Sequence, residues 1–131
     1  MDDSTANTIL ILGGSGGIGR ATAARLRERG LNVVLAARDQ GRLDEASRVC
    51  GGAPTHTVDA TDLDAVADLV KRVDADHDGL HGIVNAVGSI LIKPAHTTSE
   101  EEWRHTVSAN LDSAFATVRA AGRTLGRRGG S

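Results

Sequence analysis

Tyrosine is absent from this 131-residue chain, and cysteine occurs once. Without a tyrosine, a mechanism that needs a phenol as its proton donor cannot run on these residues alone. Because Cys50 has no partner in the chain, an internal disulfide is excluded and a reducing compartment is permitted.

Basic residues are not in excess, and long apolar runs are missing. Lysine and arginine total 15 against 17 aspartate and glutamate residues, a formal net charge of −2. That balance argues against nucleic acid or a membrane surface as partner. No apolar run approaches the ~18 residues that span a bilayer, and the acidic start MDDSTANTIL lacks a signal pattern. We therefore expect a cytoplasmic protein.

The histidines show no metal-ligand spacing. His56, His77, His81, His96 and His105 form neither an H-x-x-x-H nor a Cys/His pattern. We predict that all five lie on the surface or in loops, and that the chain holds no metal.

Apolar and amphipathic segments alternate regularly along the chain. Four apolar runs predict strands, at Thr8–Leu12, Asn32–Ala37, Thr55–Val58 and Gly82–Ala86. Helical spacing and capping residues predict helices over Ile18–Gly30, over Gln40–Cys50, from the cap Asp62 to Val73, and from the capping box Ser99–Glu102 onward. The order βαβαβαβα predicts an α/β fold, a Rossmann-type doubly wound parallel sheet with strand order 3-2-1-4, in one domain over residues 1–131.

The segment Gly13–Gly19 contains five glycines in seven residues. They satisfy G-x-G-x-x-G from Gly14 and two further dinucleotide-binding spacings from Gly13. Positions without a Cβ allow a tight turn and a close approach of a pyrophosphate, which the following helix N-terminus favours. An apolar strand before the turn and an amphipathic helix after it support this interpretation over a flexible linker. A P-loop is excluded because no Gly-Lys-Ser/Thr follows.

A basic residue follows the second predicted strand, at the place where NAD-binding proteins carry an acidic one. In those proteins an acidic residue ~20 residues after the turn binds the ribose 2′-hydroxyl, but this chain has Arg38 there. A guanidinium can pair with a 2′-phosphate, so Arg38 favours NADP(H) over NAD(H), and Ser15 could donate to the same phosphate. A solvated surface charge is the alternative for Arg38, and Asp39 is a helix cap.

The glycine turn and three later segments resemble the short-chain dehydrogenase/reductase family. The family's motif T-G-x-x-x-G-x-G matches at Gly13, Gly17 and Gly19, with Leu12 where threonine is usual. The resemblance extends from Thr8 to Ser131 and implies a nicotinamide cofactor, a carbonyl or alcohol substrate and, at full length, a homo-oligomer. In the turn it implies cofactor contacts by Gly13, Ser15, Gly16, Gly17, Ile18 and Gly19.

Two segments that follow later strands carry further marks of the family. Asp59 resembles the aspartate that contacts the adenine ring, with a loop or capping residue as the alternative. Asn85-Ala86-Val87-Gly88 resembles the family's N-N-A-G, with Ala86 in place of the second asparagine. The resemblance implies cofactor contacts by Asp59, Ala60, Asn85, Ala86 and Gly88.

The last predicted helix carries the family's W…N-L…F spacing at Trp103, Asn110 and Phe115. Asn110 matches the asparagine of the catalytic tetrad, which implies a part in a proton relay. An amide is a poor helix former, and it can bend a helix and hold a water; a polar face residue is the alternative. Apolar residues continue the helical spacing at Leu111, Ala114, Phe115, Val118 and Leu125.

The family's catalytic serine and its Y-x-x-x-K segment are missing from the chain. We therefore expect the cofactor-binding portion of an NADP(H)-dependent carbonyl or alcohol oxidoreductase, truncated at its C-terminus and inactive alone. One alternative is a non-catalytic dinucleotide-binding module or subunit. Another is part of an extended-type sugar-nucleotide epimerase or dehydratase, which Gly13-x-x-Gly16-x-x-Gly19 would allow; Asn85 and Asn110 favour the dehydrogenase.

Overall fold

A computed structural model describes residues 6–127, 129 and 130; the N-terminal residues 1–5 and Ser131 lie outside the described residues. The strands are Thr8–Leu12 (β1), Asn32–Ala37 (β2), Thr55–Thr57 (β3) and Leu80–Asn85 (β4). The helices are Gly17–Glu28 (α1), Gln40–Val49 (α2), Leu63–Asp76 (α3), Glu100–Val107 (α4) and Ser113–Thr124 (α5). A π-helical turn at Ser108–Asp112 joins α4 to α5, and short 3₁₀ turns lie at Ala95–Thr97 and Leu125–Arg127. None of the helices in the described residues is long and apolar enough to cross a membrane.

The four strands form a parallel sheet in the order β3-β2-β1-β4, which confirms the predicted order. β1 pairs with β2 on one side and β4 on the other, so that Leu12 lies opposite both Ala36 and Asn85. Because β1 has a neighbour on each side, Leu10, Ile11 and Leu12 are fully buried. The carboxyl ends of the strands meet at one edge of the sheet, where the glycine turn follows β1.

Helices cover both faces of the sheet, as expected for a doubly wound fold. Alternate residues of β1 point to opposite faces, as the period of a strand requires. Ile11 joins the layer of α1 and α2, which includes Ala23, Leu43 and Ala46. Leu10 and Leu12 join the layer of α3 and α5, which includes Val66, Val70, Ala116 and Ala120.

The apolar spacing near the end of the chain correctly predicts a helix, and Leu125 is buried, but three large residues of the spacing do not lie on the buried face. Leu111, Phe115 and Val118 are 63%, 57% and 70% exposed. The buried face of α5 consists of small residues, Ser113, Ala116, Thr117 and Ala120. Small side chains allow this helix to lie close to α3 and the sheet. The larger apolar side chains therefore point outward.

β4 begins earlier than the sequence predicts, at Leu80 rather than Gly82, and it ends at Asn85 rather than Ala86. Leu80 is fully buried, and its backbone amide donates to the carboxylate of Asp74 at 2.8 Å. The polar residue His81 interrupts the apolar pattern after Leu80. For this reason the sequence predicts a strand that starts only at Gly82.

The prediction that every histidine lies on the surface or in a loop is wrong for His81 and His56. His81 is an extra residue in β4, where the register with β1 shifts, and its Nδ1 accepts a hydrogen bond from the Thr8 amide at 3.2 Å. His56 lies half-buried in β3, where burial lowers the pKa of its imidazole and the nearby Arg72 guanidinium adds to the effect. Within residues 6–127, 129 and 130, no cluster of three His, Cys, Asp or Glu side chains is arranged to hold a metal.

Candidate cofactor-binding site

A cavity of about 460 Å³ lies at the carboxyl edge of the sheet. Four segments line it: the glycine turn, the end of β2 with the start of α2, the loop after β3, and the loop after β4. His105, Ser108 and Ala109 form the wall beyond the loop after β4. A crevice at the carboxyl ends of parallel strands is the usual ligand site of a doubly wound sheet.

The cavity brings together most of the residues that the sequence singled out. Those that line it are Gly13, Ser15, Gly16, Arg38, Asp59, Ala60, Ala86 and Gly88. Gly17, Ile18 and Gly19 lie in the first turn of α1, next to the lining rather than in it. Asn85 and Asn110 also lie behind the lining, and their side chains bond to the loop after β4. Cofactor contacts by these residues stay predictions.

Close backbone contacts shape the glycine turn. Gly13 has a φ of +75°, and its amide donates to the carbonyl of Ala36 at 2.8 Å. A Cβ on Gly13 would come within 2.8 Å of the carbonyl of Ala86, and a Cβ on Gly19 would collide with the carbonyl of Gly13. The fold itself therefore requires Gly13 and Gly19, whereas a Cβ on Gly17 would meet no protein atom within 4 Å.

The N-terminus of α1 is open toward the turn. Its N-cap residue is Gly16, which has no side chain that could cap the helix. In contrast, Asp39, Asp62 and Ser99 cap α2, α3 and α4 with their side chains, as the sequence predicts. The first amides of a helix have no intrahelical acceptor, and the helix dipole favours negative charge beside them. α1 therefore presents uncapped donors to an anion held in the turn.

Two arginines line the cavity, Arg38 directly after β2 and Arg42 in the first turn of α2, and Ser15 of the glycine turn lines it with them. The carboxylate of Asp39, between them in sequence, accepts from the amide of Arg42 at 2.9 Å and so caps α2. Arg42 was not recognised from the sequence. The usable signal is its place in the first turn of α2, because Cα–Cβ bonds in a helix tilt toward the N-terminus and direct this side chain back toward β2.

Asp59, in the loop after β3, is held by Thr61. Its Oδ1 accepts from the hydroxyl and the amide of Thr61 at 2.7 and 3.0 Å. These bonds, with a smaller contribution from the Arg38 guanidinium, hold the pKa of the Asp59 carboxyl below its ordinary value. The side chain is therefore an ionised acceptor in the cavity wall, and neither bond uses its Oδ2. The same bonds also fit the alternative of a residue that structures its own loop.

Asn85 ends β4, and both polar atoms of its side chain bond within the protein. Oδ1 accepts from the amide of Val87 at 3.0 Å, and Nδ2 donates to the hydroxyl of Ser113 at 3.2 Å. The next residue, Ala86, donates its amide to the carbonyl of Leu12 at 2.8 Å. The side chain of Asn85 thus shapes the loop after β4, and residues 86–89 of that loop line the cavity.

Asn110 lies in the π-helical turn between α4 and α5. Its Oδ1 accepts from the amide of Ser89 at 3.2 Å, and its Nδ2 donates to the carbonyls of Ser89 and Thr106, both at 2.8 Å. A π-turn inserted in a helix occurs frequently at functional sites. This one directs an amide at the loop after β4, so Asn110 holds that loop in place. Its part in a proton relay stays a prediction.

Comparison with known proteins relates the whole described sheet to one family. The family model for short chain dehydrogenase matches residues 7–131. A tropinone reductase homolog of Arabidopsis thaliana is 33% identical over 113 residues, which cover 82% of this chain and 42% of that protein. An uncharacterized oxidoreductase of Staphylococcus aureus is 28% identical over 123 residues, which cover 92% of this chain and 53% of that protein.

Solved structures agree with the sequence matches. A short-chain type dehydrogenase/reductase from Mycobacterium ulcerans aligns with a TM-score of 0.86 at 32% identity, over 95% of this chain and 48% of that one. The chain therefore spans about half the length of the relatives it matches. The family consists of oxidoreductases that use NAD(P). From the sheet, the turn and the match over residues 7–131, we conclude that this chain belongs to the short-chain dehydrogenase family.

Proposed function

We propose that this chain binds NADP(H) and forms the cofactor-binding half of an oxidoreductase that acts on a carbonyl or alcohol carbon. The observation that carries the proposal is one cavity lined both by Gly16, at the open N-terminus of α1, and by Arg38 and Arg42. The cofactor, when bound, supplies the hydride acceptor or donor. The protein's residues bind it and orient it.

In this proposal each part of the dinucleotide has its own binding residues in the cavity. Gly13–Gly19 and the uncapped amides at the start of α1 would hold the pyrophosphate, and Arg38, Arg42 and Ser15 would hold the 2′-phosphate. Asp59 would accept a hydrogen bond from the adenine amino group. Because β1 lies between β2 and β4 in the sheet, the loop after β4 would hold the nicotinamide half.

We propose further that the chain alone does not catalyse hydride transfer. The family's catalytic serine and Y-x-x-x-K segment have no counterpart in this sequence, which contains no tyrosine. A panel of small ketones incubated with NADPH and the chain should therefore show no oxidation of NADPH. Turnover of a ketone would contradict this part of the proposal.

For the full-length enzyme we propose a homo-oligomer. Large apolar side chains on the outer face of α4 and α5 support this, because Trp103 is 63% exposed and Leu111, Phe115 and Val118 are similarly open to solvent. Contiguous exposed apolar side chains mark association surfaces more often than isolated ones do.

Calorimetric titration of the chain with NADPH and NADH tests the cofactor preference. We expect NADPH to bind at least about tenfold more tightly, since a charge-assisted hydrogen bond contributes about 1.5–3 kcal/mol and about 1.4 kcal/mol is a factor of ten. Arg38→Gln should remove most of that preference, and Arg42→Gln should remove part of it. Arg48→Gln, on the same helix but outside the cavity, is the control. Tighter binding of NADH would contradict the NADP assignment.

A further inference from the structure

Ser113 is fully buried at the start of α5 and was not singled out by any sequence pattern. Its hydroxyl accepts from Nδ2 of Asn85 at 3.2 Å and donates to the carbonyl of Ala109 at 2.7 Å. It therefore joins the end of β4 to the π-helical turn, between residues 28 positions apart in sequence.

The hydroxyl of Ser113 determines which way the amide of Asn85 faces. A hydroxyl has one proton, and here that proton is used on the carbonyl of Ala109. Toward Asn85 the hydroxyl can therefore only accept, which directs Nδ2 to Ser113 and leaves Oδ1 on the opposite side. Oδ1 then accepts from the amide of Val87. If the amide were reversed, two donors would face each other at Val87.

Val87, whose amide Asn85 holds, is itself part of the cavity wall. It lines the wall on the β4 side, together with Gly88 and Ser89. Asn110 holds the other end of the same short loop through the amide and carbonyl of Ser89. The loop is thus held near one end by Asn110 of the π-turn and near the other by Asn85, which Ser113 in turn holds. Removal of one of these contacts should loosen the loop without touching β2 or β3.

We propose that Ser113 is a positioning residue for the nicotinamide half of the cofactor, acting through Asn85 on the backbone of Val87. This inference rests on the proposed function, because it requires a dinucleotide in the cavity. The adenosine half lies across β1, at Arg38 and Asp59, and depends on contacts in which Ser113 takes no part.

The test compares two ligands on the Ser113→Ala variant. NADPH reaches both halves of the cavity, whereas adenosine 2′,5′-bisphosphate reaches only the adenosine side. We expect the Kd for NADPH to rise about tenfold, as for the loss of one buried hydrogen bond. The Kd for the bisphosphate should change by less than about twofold. Equal weakening of both ligands would overturn the inference.

Thr117 provides a matched control one turn further along α5. It is also buried, and its hydroxyl donates to the carbonyl of Ser113 at 2.8 Å rather than to the loop. Thr117→Val should lower the free energy of unfolding and leave both Kd values unchanged. A rise in the Kd for NADPH equal to that of Ser113→Ala would mean that general loosening of α5 explains the effect, and would overturn the proposal.

Amide hydrogen exchange at Val87, measured by NMR without ligand, tests the same contact independently of binding. Ser113→Ala should speed exchange at Val87 about tenfold, and Thr117→Val should not. Ser113→Cys, which nearly preserves the side-chain volume and donates weakly, should give an intermediate rate; it also serves if Ser113→Ala fails to fold. Unchanged exchange at Val87 would overturn the inference. Faster exchange in a chain that binds neither NADPH nor NADH would overturn the proposed function instead.

Discussion

The two ends of the cavity are held in different ways. On the β2–β3 side the contacts are local: Asp39 bonds to an amide three residues further on, and Asp59 bonds to Thr61, two residues further on. On the β4 side Asn85 also bonds locally, to Val87, but two further contacts are distant, since Asn110 reaches Ser89 across 21 residues and Asn85 reaches Ser113 across 28. The side-chain contacts of Asp39 and Asp59 can therefore form within their own loops, whereas the contacts to Ser89 and Ser113 on the β4 side form only when α4 and α5 have docked.

We expect the two ends of the cavity to differ in the free energy of local opening. Regions with few buried apolar side chains open at lower free energy than regions with many; in the segment after β4, Ile90 and Ile92 are exposed, whereas Leu43 on α2 and Ala60 after β3 are buried. We expect the loop after β4 to open first, while the end of β2 and the capped start of α2 keep their structure. The following changes test this comparison, from the largest expected effect to the smallest.

Gly19→Ala should have the largest effect, because the glycine turn supports both ends of the cavity. The new Cβ would collide with the carbonyl of Gly13, a backbone atom that cannot move aside cheaply. We expect a loss of about 3 kcal/mol in the free energy of unfolding, at the upper end for overpacking, measured by urea denaturation. Gly122→Ala, in open space on α5, is the control and should stabilise by about 0.5–1 kcal/mol. Similar values for the two variants would contradict the steric argument.

Asn110→Ala should disturb the β4 side alone. It removes three hydrogen bonds to Ser89 and Thr106, and we expect a loss of about 1 kcal/mol because the site is exposed to water. Amide exchange at Ser89 should become faster, while exchange at Thr61 on the adenosine side should not change. Faster exchange at both amides would show that the two ends are not independent.

Asp59→Asn should change the acid dependence of stability on the adenosine side. The pKa of the Asp59 carboxyl is lowered in the folded protein, chiefly by the bonds from Thr61. Its contribution is therefore present above the ordinary carboxyl pKa of about 4 and is lost as the pH falls through the lower, folded value. Exposure keeps the contribution below about 1 kcal/mol. Urea denaturation at a series of pH values should show a shallower loss of stability in acid for Asp59→Asn, and an unchanged slope would contradict this.

Glu102→Gln should have the smallest effect. Both carboxylate oxygens accept from Nζ of Lys93 at 2.9 Å, which ties the segment after β4 to α4. The bond from Lys93, followed by the bond from the amide of Ser99, lowers the pKa of Glu102, so this pairing is present at neutral pH and lost in acid. Glutamine preserves the capping box with Ser99 and removes only the ion pair.

We expect a small fall in the thermal midpoint of Glu102→Gln that disappears at high salt, because ions screen exposed pairs. Glu101→Gln, in the same helical turn, is the matched control. A fall that persists at high salt, or that the control reproduces, would mean that the pair does not anchor this segment.

Short-range patterns in the sequence determined most of the framework. The strand order, the glycine turn and the caps Asp39, Asp62 and Ser99 were all predicted correctly. Each cap depends on a side chain and an amide within three residues, a distance at which backbone geometry leaves few alternatives. Arg38 and Asp59, which line the cavity, were also recognisable because each closely follows a strand, whereas Arg42 on α2 was not.

Tertiary packing alone decided the rest. The inward face of α5, the early start of β4 at Leu80 and the contacts of Asn85 and Ser113 depend on how closely the helices approach the sheet. An apolar stripe indicates a helix but does not say which face is covered when small residues pack more closely. A side-chain bond across 28 residues has no local signature, since docked elements bring its partners together. The sequence therefore determined the glycine turn and the sheet around it, and only the tertiary structure decided how the β4 side of the cavity is held.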